Sequence, residues 1–349
     1  MSKQLRYLNE AGDITRLFED FNKLKVMVIG DVMIDAYVFG TVDRISPEAP
    51  VPVVAVKERV NRLGGAANVA LNIHALGATP VLVSVIGDDV KGSEFLDLLR
   101  NVSLDTVGIL SSSQRITTTK FRVIGNKVQM LRVDEEITSD INESESQALL
   151  EKIESILAFE KIDVIILQDY NKGVLTEHII LQIIQVAKNH RIPIAVDPKK
   201  KHFQAYSGVS FFKPNLKELK DGLGLVFYPS SLLSIKDAVQ TLQKLLKVDI
   251  VMATLSEKGV LISEQSEADG KIQFTHIPAH LRAIADVSGA GDTVISVASL
   301  CLALNLDIEW LAEMSNLAGG LVCEQLGVVP VDKNKLLAEA FKVVASKKV

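Results

Sequence analysis

Short β-branched runs alternate with amphipathic stretches along most of this chain. Val26 to Gly30, Val81 to Val85, Val164 to Leu167, Ile194 to Asp197, Val209 to Lys213 and Ile250 to Thr254 lack the polar alternation of half-exposed strands. Such runs predict strands buried on both faces. Their alternation with helical segments predicts an α/β fold, a mainly parallel sheet between two layers of helices. Ile14, Leu17, Phe18 and Phe21 have helical spacing, so the first 25 residues read as a packed amphipathic helix rather than a targeting segment. The run from Val294 to Leu306 predicts a buried helix; it is too short to span a bilayer, which takes about 20 residues.

Two segments break this rhythm. Tyr37 to Val60 is rich in β-branched residues and prolines without a helical period, and Thr117 to Val133 reads as a hairpin turning at Gly125-Asn126. Their alternating apolar positions need a partner surface, which predicts a small β-sheet inserted at about residues 37–60 and 115–134; two surface loops are the plainer alternative. With 349 residues, 48% of them apolar, and no repeat or long linker, residues 1–349 read as a single α/β domain with this appendage.

Charge and cysteine content narrow the class of protein. A net charge of −5 without a basic cluster argues against a nucleic-acid partner. Cys301 and Cys323 fall in apolar helical patterns and read as buried small hydrophobes, as suits a reducing cytoplasmic setting. His276 and His280 are separated by Pro278, so they do not share a helical face as metal ligands would. The chain has neither a Walker-type phosphate loop nor a strand-linked Gly-x-Gly-x-x-Gly.

Chemistry concentrates in two glycine motifs. Asp286-Val287-Ser288-Gly289-Ala290-Gly291-Asp292-Thr293 immediately precedes the buried helix, so backbone N–H groups and the helix N-terminus can cradle an anion. Asp292 is expected to be ionised in that positive field. A carboxylate there is unfavourable unless it handles a proton or orients a hydroxyl, which points to phosphoryl transfer to an alcohol; a capped strand-to-helix turn is the plainer reading. Upstream, Leu63-Gly64-Gly65-Ala66-Ala67-Asn68-Val69-Ala70 opens a helical run ending near Gly77. Its paired glycines allow a ligand close approach, and Asn68 offers an amide to hydroxyls. Asn215 and Glu218, three apart after Pro214, suit a capping box, water-mediated contact with magnesium beside phosphates, or both at once, since a cap fixes the side chain that the water contacts.

Together, Gly64 to Ala70 and Asp286 to Thr293 resemble the two signatures of the ribokinase-like, or phosphofructokinase-B-type, carbohydrate kinases. Lys213 to Glu218 looks like that family's Asn-x-x-Glu element, and Thr254 to Gly259 like its nucleotide-side strand and turn. The four elements occur in the family's order and span most of the chain. The resemblance implies a three-layer α/β/α sandwich with a β-lid that covers the sugar and pairs subunits into a homodimer. It implies ATP and Mg2+ as cofactors, with a monovalent cation such as K+ near Ala285 to Ser288. Asp292 would be the base, with Gly289, Ala290 and Gly291 around the transferred group. Asp31, Gly64, Gly65 and Asn68 would bind the sugar, with Asp35 left to a structural role. Asn215, Leu216, Lys217, Glu218, Thr254, Ser256, Gly259 and Asn316 would bind the nucleotide side, Asn215 and Glu218 reaching magnesium through water.

Ile29 to Asp35, Arg44 to Val54, Asp169 to Leu175 and Val196 to Lys199 narrow the resemblance. They are similar to the branch of the family that phosphorylates D-glycero-D-manno-heptose 7-phosphate at carbon 1, giving heptose 1,7-bisphosphate for ADP-heptose and lipopolysaccharide core assembly. Lys172 and Arg132 are then candidate cations for the acceptor's phosphate, or else solvated surface charges. That kinase is often fused to a nucleotidyltransferase. Here no His-x-Gly-His motif follows, so the resemblance implies a stand-alone kinase with adenylyl transfer on a separate polypeptide. The competing readings are a kinase of another sugar or sugar phosphate, and a non-catalytic sugar- or nucleotide-binding regulator; the intact Gly-Ala-Gly-Asp turn argues against the latter.

Overall fold

The computed structural model describes residues 8–224, 228, 231–265, 270–280 and 282–347. The N-terminal half runs α1 (Ala11–Phe21), β1 (Lys25–Gly30), β2 (Val32–Ile45), β3 (Pro52–Gly65), α2 (Ala66–Ala75), β4 (Thr79–Gly87), α3 (Val90–Asn101), β5 (Ile109–Ser112), β6 (Thr119–Gly125), β7 (Val128–Glu135) and α4 (Glu143–Phe159). Next come β8 (Val164–Gln168), α5 (Glu177–His190), β9 (Ile194–Asp197), β10 (Phe211–Phe212), α6 (Leu216–Leu223), α7 (Leu232–Leu246) and β11 (Ile250–Thr254). The chain finishes with β12 (Val260–Gln265), β13 (Ile272–Ile277), α8 (Ala290–Ala303), α9 (Ile308–Val322) and α10 (Lys333–Lys347).

Strand composition explains the layering. Val26 and Val28 of β1 pack into one core while Met27 and Ile29 pack into the other, and β8 divides its residues the same way. A strand with helices on both sides has no polar face, hence the unbroken apolar runs. The large sheet has the order β13-β12-β11-β10-β9-β8-β1-β4-β5, parallel from β11 to β5, with β12 and β13 antiparallel at one edge. One core takes residues from α1, α2, α3, α8, α9 and α10, the other from α4, α5, α6 and α7. Ile14, Leu17, Phe18 and Phe21 are all buried, as their spacing predicts. No helix among the described residues is long and apolar enough to cross a membrane.

The second sheet, β3-β2-β6-β7, is the expected lid. Its strands reach further into the body than expected, because Val32 to Tyr37 and Leu63 to Gly65 are buried ends of β2 and β3 and read locally as core. The hairpin turns one residue later than expected, at Asn126 and Lys127, both with positive φ (51° and 67°), the turn whose twist suits a two-residue hairpin. Another expected strand, Val209 to Lys213, shrinks to the two residues of β10. Cys301 is buried, but Cys323 is only half-buried.

Candidate active site

Parallel strands end on one side of the sheet, and the residues just past β1, β8, β9 and β10 converge there on the start of α8. Gly289 caps α8 at φ +79°, a conformation that favours glycine. The Thr293 N–H closes the first turn on the Gly289 carbonyl, leaving the N–H groups of Gly291 and Asp292 without intrahelical acceptors. Asp286 fixes the approach. Its carboxylate accepts the N–H of Ser288 and of Gly327, both at 2.9 Å.

The Asp292 carboxylate is buried and held by three donors from distant segments. Asn68 of α2 donates to Oδ2 at 2.8 Å; the Tyr170 hydroxyl and Gln168 Nε2 donate to Oδ1 at 2.6 and 3.1 Å. Oδ2 therefore keeps a lone pair for an acceptor hydroxyl. Burial pushes the Asp292 pKa up to about 6, the bonds from Asn68 and Tyr170 opposing the rise, Asp197 adding to it and Lys213 lowering it. Desolvation thus outweighs the field of the helix N-terminus, yet the group is still mostly ionised at pH 7, as expected. The acid limb of kcat/KM should inflect near pH 6, with activity lost as pH falls and the base protonates. Tyr170→Phe removes a donor that favours the ionised form, so the inflection should move to higher pH. A limb that stays in place would assign it to Asp169, which burial and the neighbouring Asp31 also raise to about 6.

The glycine pair makes room for two carboxyl-bearing residues. A side chain at Gly64 would overlap the Asp35 carboxylate, and one at Gly65, which has φ +61°, would overlap the Asp31 carbonyl oxygen. That carbonyl accepts the Ala66 N–H at 2.9 Å as α2 begins. Asp31, expected at the sugar, is buried at the same strand end. Its carboxylate turns inward and accepts the N–H groups of Tyr170, Lys172 and Val174 at 2.8, 3.0 and 3.0 Å, folding that loop over the sheet end. Asp35, assigned to structure, is the carboxylate that lies against Gly64, paired with Arg122 of the lid.

On the other side of α8 lies a cavity of about 630 Å³. Asn215, Leu216, Lys217, Thr254, Ser256, Gly259 and Asn316 all line it, with Ala290 and Gly291 at its inner wall. Glu218 stands apart from that wall. It forms a capping box with Asn215 (2.8 and 2.9 Å) and an ion pair with Lys199, so the plainer reading of this pair is realised. Among the described residues no three acidic, His or Cys side chains gather as metal ligands. The donors fit magnesium held through water beside nucleotide phosphates, with Asn215 and Glu218 as the nearest polar groups of the expected element, and do not fit a direct carboxylate cage.

Lys172 and Arg132 are not brought together as free cations. Lys172 pairs with Glu136 at 2.6 Å, and Arg132, half-exposed on β7, pairs with Asp134 at 3.0 Å. Sequence reasoning missed Gln168, Tyr170 and Lys213. Lys213 is buried, pairs with Asp197 at 3.0 Å and lies beside Gly291, placing a positive charge next to the anion-binding turn. Their position at or just past strand ends was the one signal available for them.

A carboxylate held at an anion-binding helix start, with the small sheet on one side and a nucleotide-sized cavity on the other, is the arrangement of a sugar kinase. The chain belongs to the pfkB family of carbohydrate kinases, whose family model matches residues 23–334. It is 38% identical over 314 residues to the bifunctional protein HldE of Methylobacillus flagellatus, covering 90% of this chain and 62% of that protein. With the Helicobacter pylori protein of the same name it shares 39% over 303 residues, covering 87% and 63%. The chain thus spans less than two thirds of the length of these curated relatives. Phosphofructokinase-2 of Escherichia coli, solved with potassium and with fructose-6-phosphate, has the same fold: TM-score 0.74, 18% identity, 92% of this chain and 99% of that one.

Proposed function

We propose that this chain transfers the γ-phosphoryl group of ATP to the C1 hydroxyl of D-glycero-D-manno-heptose 7-phosphate, giving heptose 1,7-bisphosphate for ADP-heptose and lipopolysaccharide core assembly. The observation that carries the reading is the Asp292 carboxylate, held by three donors with Oδ2 open to a hydroxyl and the N–H groups of α8 beside it. In a loose phosphoryl-transfer transition state the protein mainly positions groups and offsets charge, so Asp292 need only hold the hydroxyl and take its proton late. The N–H groups of Gly291 and Asp292, with Lys213, meet the charge of the transferred group. Asp35, whose carboxylate lies against Gly64, shares the sugar-hydroxyl role expected of Asp31, and Gly64, Gly65 and Asn68 complete that wall. Magnesium, when bound, neutralises phosphate charge near Asn215 and Glu218.

Support for the heptose comes from the resemblance in Ile29 to Asp35, Arg44 to Val54 and Asp169 to Leu175, together with the identity to proteins named HldE. Adenylyl transfer to the product falls to a nucleotidyltransferase. A potassium requirement rests on the solved relative. The test is ADP release with the heptose 7-phosphate beside ribose, fructose and fructose 6-phosphate, the new phosphate being located by phosphorus NMR. Preference for the heptose with phosphate at carbon 1 supports the reading, and preference for another acceptor overturns it while leaving a sugar kinase.

A homodimer through the lid is part of the same reading. Leu131 and Val133 are 55% and 45% exposed on the lid face opposite the one that carries Tyr37 and Arg122. Apolar side chains exposed on a sheet face favour a partner sheet. Leu131→Glu should convert a dimer into monomers in sedimentation; a wild-type chain already monomeric at working concentration would count against the pairing.

A further inference from the structure

Gln168 closes β8 as a fully buried polar residue. Its backbone is fixed from both sides. It pairs with Gly30 of β1 and Asp197 of β9, its carbonyl accepts the Asp31 N–H at 3.2 Å, and a side chain at Gly30 would overlap that carbonyl oxygen. A strand end packed this closely leaves its side chain little choice of rotamer.

The amide nitrogen of that side chain meets two carboxylates. Nε2 donates to Asp292 Oδ1 and to Asp197 Oδ2, both at 3.1 Å. The reverse orientation would set the amide oxygen against two negative charges, so electrostatics fixes which end faces them. Asp197 Oδ2 also receives Lys213 Nζ at 3.0 Å. A side chain at Gly291, the neighbour of Asp292, would meet that Nζ at 3.6 Å and Asp197 Oδ2 at 3.9 Å. The contacts therefore close a ring: Asp292, Gln168, Asp197, Lys213 and the start of α8. None of its four side-chain members is more than 4% exposed. Besides Gln168, the groups that face Asp292 are Asn68, Tyr170, Asp197 and Lys213.

A second observation marks the amide as more than core filling. Gln168 Oε1 is buried and has no hydrogen-bond partner among the described residues. An apolar side chain of the same length would avoid that cost, so what an amide contributes here is its NH2 group. Lys199 does not replace it, since its amine stands 4.0 Å from Asp197 Oδ1 and is paired with Glu218.

Building on the kinase reading above, we propose that Gln168 is a positioning residue for phosphoryl transfer, its amide fixing the base Asp292 in register with Lys213 through Asp197. Being buried, it acts through these side chains rather than on either substrate. Two carboxylates this close repel strongly in a buried site. One hydrogen offered to each lets both stay ionised, so the proton acceptor and the cation beside the anion-binding turn are present together.

The test is Gln168→Met, which keeps the length and removes both donors. Turnover should fall about tenfold, the scale of one lost hydrogen bond to a charged group, while KM for ATP changes little. The acid limb of kcat/KM should move up by about one pH unit, because ionised Asp292 loses a donor and meets Asp197 unshielded. Gln168→Glu should lower turnover as well, since an acid has at most one hydrogen for two carboxylates. Melting and binding of an ATP analogue show that each variant is folded. An unmoved limb in Gln168→Met overturns the role whether or not turnover falls, because a loosened core slows turnover without changing the donors of Asp292; if that variant does not fold, full turnover in Gln168→Glu overturns it. A carbon-13 NMR titration of the Asp292 carboxyl in the free protein, assigned by its loss in Asp292→Asn and so separated from Asp169, should show the same upward move from about 6. It needs no acceptor. A chain that phosphorylates another sugar, or none, thus overturns the function reading, while a carboxyl midpoint that stays in place in Gln168→Met overturns the role of the amide.

Discussion

Asp292→Asn should lower kcat by about a hundredfold or more, the usual scale for losing a positioned proton acceptor, while nucleotide affinity changes little. The two readouts separate because the nucleotide-sized cavity is lined by Asn215, Thr254, Ser256 and Asn316, and the Asp292 side chain faces Asn68, Gln168 and Tyr170 instead. Asparagine keeps the shape but offers one acceptor oxygen to three converging donors. At least one donor then meets an NH2 group, so some loss of stability accompanies the loss of turnover. Binding of an ATP analogue, measured by calorimetry, shows that the variant is folded. Activity largely retained with that binding intact would remove Asp292 from the role of base.

Gly65→Ala is the second large effect, and it acts through the backbone. At φ +61° an L side chain is strained, and its Cβ would collide with the carbonyl of Asp31, which accepts the first N–H of α2. Relief requires parting that hydrogen bond or shifting β1 from the start of α2. Backbone strain together with a lost buried hydrogen bond costs about 3 kcal/mol. A clear fall in Tm should result, with a rise in KM for the sugar because Asn68 rides on the same helix. An unchanged Tm would mean that the chain rearranges freely here, and that the glycine pair serves ligand access alone.

Much of this arrangement is legible in local sequence. The unbroken apolar runs give β1, β8, β9 and β11 nearly to the residue, because a strand covered on both sides has nowhere to place a polar side chain. Gly289 and the apolar stretch after it mark α8, and Asn215 with Glu218 spells its own capping box. Each of these signals needs only neighbours a few residues away. The lid was visible as a departure from the helical period, but its inner ends were not, since Val32 to Tyr37 is as apolar as the core it enters.

The carboxylates were another matter. Asp31 and Asp35 are four residues apart in one apolar run, and nothing between them says which turns inward. That choice is made by the N–H groups of Tyr170, Lys172 and Val174, 139 to 143 residues away, and by Arg122, 87 residues from Asp35. Likewise Asp292 takes its donors from positions 122 to 224 residues distant, and Lys172 is neutralised by a glutamate at a lid-strand end. Sequence by itself determined the layers, the glycine turn that opens α8 with Asp292 in it, and the family. Only the tertiary structure decided which buried charge meets which partner. Period, capping and glycine conformation are short-range properties of the chain, whereas the state of a buried carboxylate depends on donors and desolvation that exist only once remote strand ends are packed side by side.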